Sequence, residues 1–99
     1  MKRDWDLIRL LLLGVEDNFS FPPKIENYSE EEIGYHMILL NQSQCLDSTE
    51  TELKLTPRGM QLLDALRDEQ KYRKAMEFIQ ERGGGATEEI LVALIKRLP

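Results

Sequence analysis

Residues 28–59 decide the fold of this chain, because two strong helix-start signals lie at their ends. The stretch opens with Tyr28-Ser29-Glu30-Glu31-Glu32-Ile33 and closes with Leu55-Thr56-Pro57-Arg58-Gly59. In the first block, Ser29 and Glu32 have the spacing of a capping box, in which each side chain bonds the other residue's backbone N–H. In the second block, a threonine precedes a proline, the residue favoured at the first position of a helix. The stretch therefore predicts two helices, each with a defined first turn.

A short hairpin is predicted between these two helices. Cys45-Leu46-Asp47 and Glu52-Leu53-Lys54-Leu55 are short runs of mixed apolar and polar residues, as expected of half-buried strands. Ser48 to Thr51 would form the turn, although it lacks the Asn-Gly pair that marks the tightest hairpins. The expected result is a small β-wing with Leu53 and Leu55 facing the core.

Three further helices are predicted outside this stretch. Asp4 is expected to cap a first helix that runs to about Glu16. Another helix follows Asp68 and ends at Gly83-Gly84-Gly85, because consecutive glycines stop a helix. Thr87 is expected to cap the last helix. The predicted fold is mainly α with a small β-wing.

Length and composition indicate one soluble globular domain. Of the 99 residues, 41% are hydrophobic and 31% are charged, a balance that supports a packed core and excludes a disordered chain. No apolar run approaches the ~20 residues that span a bilayer, and no signal peptide is expected. The single cysteine fits a reducing compartment, so we expect a cytoplasmic protein. Residues 1–99 are expected to form one domain, with a core over 1–68 and a C-terminal helical extension over 69–99.

The net charge of −5 is distributed unevenly along the chain. Residues 1–56 carry 5 Lys and Arg against 11 Asp and Glu, whereas residues 57–99 carry 8 against 7. A DNA-binding protein gains most of its affinity from cations that neutralise phosphates. The half of the chain that contains the predicted hairpin therefore carries a net negative charge, which is unfavourable for binding DNA.

Four blocks of the sequence resemble one protein family. They are Met1-Lys2-Arg3-Asp4-Trp5-Asp6-Leu7-Ile8-Arg9, the run from Tyr28 to Leu40, the block from Leu55 to Gly59, and Leu63-Asp64-Ala65-Leu66-Arg67-Asp68. Together they resemble a family of small phage- and prophage-associated bacterial proteins of unknown function. The resemblance implies a reduced winged-helix domain with two additional C-terminal helices. It is reduced because no helix fits between Pro23 and Tyr28.

The exit of the central helix departs from the family pattern. Relatives usually leave this helix through a Gly-Leu-Ile-like sequence, whereas this chain has Ser43-Gln44-Cys45-Leu46. Glycine is the residue that adopts a left-handed conformation without steric cost. The exit is therefore expected to be shaped differently or strained.

The first functional hypothesis is a DNA-binding transcriptional regulator. On the central helix, one face would enter the major groove, where Asn and Gln pair with adenine and an aliphatic group meets a thymine methyl. Phosphate contacts would then come from four cations elsewhere in the chain. The base-reading residues are Tyr35, Ile38, Asn41 and Gln42, and the phosphate contacts are Lys2, Arg3, Lys54 and Arg58.

The competing hypothesis is an acidic protein-binding module, such as a phage factor that engages a host protein. Tyr35 and Ile38 together suit a protein interface, since aromatic and aliphatic side chains dominate interface cores. Glu30 and Glu31 would add an acidic edge that selects a basic partner. Charge favours this hypothesis, and the resemblance favours the DNA hypothesis, so both stay open.

A homodimer is predicted from the first helix, which is apolar nearly all round. Such a helix must be covered on more than one side, either by the C-terminal helices or by a second copy of the chain. The residues proposed for the dimer interface are Leu7, Leu10, Leu11 and Leu13.

No enzyme is expected, and no catalytic residue, cofactor or metal is assigned. His36, the single histidine, lies one helical turn from Ile33 and Leu40, so it is interpreted as a half-buried packing residue. Cys45 is interpreted as a buried strand residue, because a reactive thiol needs a cationic neighbourhood and Asp47 supplies the opposite charge.

Overall fold

The computed structural model describes residues 2–18, 23–48 and 52–98. These residues form five helices and a two-stranded antiparallel sheet, which confirms a mainly α fold with a small β-wing. No helix in these ranges is long and apolar enough to cross a membrane. The elements in chain order are α1 (Trp5–Glu16), α2 (Glu30–Gln42), β1 (Leu46–Ser48), β2 (Leu53–Leu55), α3 (Pro57–Leu66), α4 (Glu69–Glu81) and α5 (Glu88–Arg97).

The contacts divide the chain into two compact units, Met1–Met60 and Gln61–Pro99. We call them the N-terminal unit and the C-terminal unit. The boundary between them lies inside α3, whereas the sequence-based division after residue 68 lies beyond that helix.

In the N-terminal unit, α1 packs against both α2 and β2. The helix begins as predicted, since the Asp4 side chain accepts a hydrogen bond of 3.2 Å from the backbone N–H of Leu7. Leu7 and Leu11 are fully buried inside the chain, so they cannot form a surface for a second copy. This corrects the predicted dimer interface. Leu10 is 38% exposed and Leu13 is half-buried, and their role in a dimer stays a prediction.

The start of α2 is the predicted capping box. The backbone N–H of Glu32 donates to Ser29 Oγ over 3.1 Å, and the Glu32 carboxylate accepts from the Ser29 N–H over the same distance. Three glutamates in the first turn also complement the positive end of the helix dipole. Because these signals are local, the sequence predicts this boundary to the residue.

The exit of α2 is a left-handed turn made without glycine. Gln44 has a φ of +63°, the conformation expected of glycine at this position. The N–H of Cys45 donates to the Leu40 carbonyl over 2.9 Å, and that of Gln44 to the Asn41 carbonyl over 3.1 Å. This is the hydrogen-bond pattern of a Schellman motif. The exit is therefore strained, as expected, and the strain lies at one residue, Gln44.

The wing pairs in a register that places Leu46 opposite Leu55 and Asp47 opposite Lys54. The first strand is shifted by one residue from its predicted run, since Cys45 precedes it and Ser48, predicted to lie in the turn, belongs to it. The second strand begins at Leu53, one residue later than predicted. The wing contacts the rest of the unit through α1 against β2 and α2 against β1.

Cys45 also anchors the start of α3. Its carbonyl accepts a hydrogen bond of 3.1 Å from the Thr56 N–H, and the Thr56 hydroxyl bonds both the Gln44 carbonyl and the Gly59 N–H. A Cβ at Gly59 would lie 2.1 Å from the Cys45 carbonyl oxygen. Only glycine allows this approach, which explains the final residue of the Leu-Thr-Pro-Arg-Gly block.

The C-terminal unit contains α4 and α5, which pack against each other. Asp68 caps α4 through the Lys71 N–H at 3.1 Å, and Thr87 caps α5 through the Ile90 N–H at 3.3 Å. Gly83 has a φ of +99°, which ends α4 as predicted. The buried side chains of the two helices are Tyr72, Ala75, Ile79, Leu91 and Ile95.

Candidate functional site

The outward face of α2 is the candidate site of the N-terminal unit. Ile33, His36 and Leu40 point inward and are buried, as their spacing along the helix predicts. On the opposite side Ile38 is 59% exposed and Tyr35 is half-buried. Asn41 and Gln42, the other proposed base-reading residues, are also exposed on α2. The structure therefore places all four proposed base-reading side chains on α2 with some surface accessible.

His36 fixes the orientation of this helix. Its Nε2 accepts a hydrogen bond of 2.8 Å from the backbone N–H of Asp4, so Nε2 carries no proton. Its Nδ1 lies 2.7 Å from the Glu32 carbonyl oxygen and therefore carries the proton that it donates there. Both ring nitrogens of a fully buried histidine are thus bonded to backbone groups, which identifies His36 as a structural residue. The ring also meets the Tyr35 ring edge-on, with centroids 5.3 Å apart.

The start of α2 lies in a negative electrostatic environment. Partial burial raises the pKa of the Tyr28 phenol above its ordinary 10.0, and the carboxylates of Asp4 and Asp6 raise it further. Glu30 and Glu31 are exposed in the first turn, and α2 carries no Lys or Arg. A phosphate backbone approaching this helix would therefore meet carboxylates and no cation from α2 itself.

The wing does not compensate for this charge. Lys54 Nζ lies 2.9 Å from a carboxylate oxygen of Glu52, and this hydrogen bond raises the pKa of Lys54. Asp47, the cross-strand neighbour of Lys54, raises it in the same direction. The lysine proposed as a phosphate contact is therefore already matched by carboxylates of the wing.

The remaining proposed phosphate contacts come from separate segments. Lys2 and Arg3 precede α1 and are exposed, and the Arg3 guanidinium lies 5.4 Å from the centroid of the Trp5 ring. Arg58 is exposed in the first turn of α3. The four cations thus belong to three segments outside α2.

Residues 2–18, 23–48 and 52–98 contain no group of three or more His, Cys, Asp or Glu side chains placed to hold a metal ion. Cys45 is fully buried, with its sulfur within 3.5 Å of the Ser43 hydroxyl. The prediction that the chain is not an enzyme stays a prediction.

A second surface, between α4 and α5, was missed by sequence reasoning. On this surface the Ile90 side chain of α5 is 54% exposed, although it belongs to a broad apolar face of the helix. The signal was present in the breadth of the stripe, since Ile90, Leu91, Leu94 and Ile95 cover more of the helix than one neighbouring helix can bury.

Residues 2–85 match the family described as Hypothetical protein (DUF2513). Because the match covers most of the sequence, the chain belongs to this family, in agreement with the resemblance to a family of unknown function. No curated protein and no solved structure matches the chain.

Proposed function

We propose that this member of the DUF2513 family is a non-enzymatic protein-binding module. Its docking surface is the α2 face, which we define as Glu30, Glu31, Tyr35 and Ile38. The observation that carries the proposal is the 59% exposure of Ile38 on a helix without a cation. The wing beside this helix has its lysine paired with a carboxylate at 2.9 Å.

The chemistry of the α2 face defines the partner. Burying the exposed part of an isoleucine contributes about 1–2 kcal/mol, so Ile38 and Tyr35 form an apolar centre. Glu30 and Glu31 lie one to two turns away at the start of the helix and favour lysine or arginine on the partner. The partner is therefore a protein with an apolar pocket beside a basic patch.

The biological setting that we propose is the cytoplasm of a bacterial host. The single buried cysteine is consistent with a reducing compartment. The resemblance to phage- and prophage-associated proteins supports a phage factor that engages a host protein. We also propose that the fold of this chain is a reduced winged helix.

The test is site-specific photo-crosslinking in cells. A photoreactive residue replaces Ile38 in one variant and Gln70, an exposed residue of α4, in the control. We expect a discrete crosslinked product from position 38 alone, and its loss when Glu30 and Glu31 are changed to Lys. A product unaffected by this charge reversal, or no product from position 38, contradicts the proposal.

DNA is the second candidate ligand, favoured by a specific observation. Asn41 and Gln42 are exposed at the end of α2 that leads into the wing, and both side chains can bond adenine in the major groove. Duplex DNA binding that weakens steeply between about 50 and 200 mM salt would support this function. Arg58→Ala should then reduce the salt dependence, and Asn41→Ala should relax base preference. Absence of a mobility shift at low salt excludes it.

A further inference from the structure

The C-terminal unit carries an apolar groove between α4 and α5. The groove has a volume of about 370 Å³ and opens to solvent. Two large hydrophobic side chains that line it remain strongly exposed, Phe78 at 42% and Ile90 at 54%. We define the α4–α5 groove by the lining residues Phe78, Arg82, Ile90, Leu94 and Arg97.

The exposed side chains of Phe78 and Ile90 lie together and are not isolated apolar residues scattered over the surface. Within the described part of the C-terminal unit, they are the two large hydrophobic residues with strongly exposed side chains, and both line the same groove. Exposed apolar side chains that cluster in one concave place mark interaction sites, whereas single ones do not.

The charges of the groove are positive. Its lining includes Arg82 and Arg97 and no Asp or Glu. The guanidinium of Arg82 lies over the Phe78 ring, 3.5 Å from the centroid, and its Nη1 is 3.4 Å from the Phe78 carbonyl oxygen. Stacking in this way holds the guanidinium in a fixed plane at the groove edge.

Both arginines have capacity to bind a carboxylate. The Arg82 contact with Glu81 is long, 3.9 Å, and uses the same Nη1 atom. Arg97 has no ion-pair partner among residues 2–18, 23–48 and 52–98. Arg is the residue best suited to bidentate recognition of carboxylates.

We propose that the α4–α5 groove binds an amphipathic helix of a partner protein, with apolar residues on one side and Asp or Glu at its flanks. A groove between two helices accepts a third helix through residues at i, i+3, i+4 and i+7. The 10 residues of α5 extend over about 15 Å, which matches about three turns of a bound helix. Carboxylates at the flanks would then meet Arg82 and Arg97.

A second copy of the chain that docks through a two-fold axis is a poorer occupant of this groove. A two-fold arrangement presents the same patch on both copies, so it brings the arginines of one groove toward the arginines of the other. The preference for an acidic helix is also opposite to that of the α2 face, which favours a basic partner. The α4–α5 groove is therefore a separate surface, and its function does not depend on the proposed function of α2.

The experiment measures binding of two synthetic helical peptides to the full chain by fluorescence anisotropy. Both are about 14 residues long and carry leucines at helical spacing, with glutamates at the flanks in one and lysines in the other. We expect the glutamate peptide to bind more tightly than the lysine peptide. Arg82→Glu combined with Arg97→Glu should weaken its binding about ten- to a hundredfold, and Ile90→Ser should also weaken it.

Arg73→Glu is the matched control, because Arg73 is exposed on the side of α4 opposite to Arg82. It should leave peptide binding unchanged, as should Ile38→Ser on the α2 face. Thermal melts of each variant establish that it folds. If the groove variants fold and bind the glutamate peptide normally, or if the lysine peptide binds equally well, the proposal is wrong. Failure of the glutamate peptide to bind also overturns it.

Sedimentation of the full chain tests whether a second copy of the chain occupies the groove. We expect no self-association that depends on the groove. Concentration-dependent assembly that Ile90→Ser or Arg82→Glu abolishes would identify a second copy as the occupant and overturn the proposal of an acidic partner helix. The crosslinking test of the α2 face does not depend on the outcome of this sedimentation experiment.

Discussion

The backbone N–H of Asp4 donates a 2.8 Å hydrogen bond to Nε2 of His36, 32 residues further along the chain. The other ring nitrogen of His36 donates to the Glu32 carbonyl over 2.7 Å. The single histidine therefore ties the segment before α1 to the middle of α2. This relationship holds the inward face of α2 in place and leaves Ile38 on the outward face.

Replacing His36 with alanine should lower the free energy of unfolding by about 2–4 kcal/mol. The substitution removes a fully buried ring and leaves the Asp4 N–H without its partner. Urea denaturation measures the change, and Glu31→Ala on the exposed side of the same helix is the control, with an expected effect within about 0.5 kcal/mol. Equal effects of the two substitutions would contradict the structural role of His36.

Two glycine-to-alanine substitutions should have opposite effects on stability. At Gly59 the added Cβ would lie 2.1 Å from the Cys45 carbonyl oxygen, and backbone atoms cannot move away as a flexible side chain can. We expect a loss of about 3 kcal/mol or more. At Gly34, on the exposed side of α2, nothing lies within 4 Å of the added Cβ, so alanine should stabilise the helix by about 1 kcal/mol. Chemical denaturation of both variants tests the pair.

Gln44→Gly should stabilise the protein by about 0.5–1 kcal/mol. Gln44 adopts a φ of +63°, where a side chain costs about 1–2 kcal/mol, and glycine removes that cost while adding about 0.4–1 kcal/mol of unfolded-state entropy. Gln42→Gly, inside the last turn of α2, is the control and should destabilise by about 1 kcal/mol. Destabilisation by both substitutions would show that the exit of α2 is not left-handed.

Tyr28 should show an alkaline transition above its ordinary pKa of 10.0. Burial, Asp4 and Asp6 raise the pKa of the phenol, so the folded state favours its neutral form. This stabilisation is complete below pH 10 and is lost as the pH rises through the raised pKa. Residue-resolved NMR titration measures the shift. Asp4→Asn retains an N-cap and should lower the pKa of Tyr28, and an unchanged pKa would contradict the contribution of Asp4.

How far the sequence predicts the fold depends on the range of the interactions. The caps at Asp4, Ser29, Thr56 and Thr87 each bond a backbone N–H within three residues, so a short stretch of sequence contains both partners. The hairpin was predicted for a related reason, since its strands follow one another along the chain.

The candidate surface on α2 was also predictable in part. Helical periodicity alone separates the buried Ile33 and Leu40 from the exposed Ile38. It does not reveal that Lys54 is matched by Glu52, because that depends on side-chain conformation in the wing. The preference for a protein ligand over DNA therefore stays a proposal, which the positions of these charges support.

By itself, the sequence determined where the helices begin, which face of α2 is buried, and the acidic character of the N-terminal half. Tertiary structure alone decided that Leu7 and Leu11 are buried and that Phe78 and Ile90 border a groove. It also decided that only glycine at position 59 leaves room for the Cys45 carbonyl. The physical reason is that capping and periodicity act over one or two helical turns. Burial and close approach depend instead on which segments the folded chain brings together.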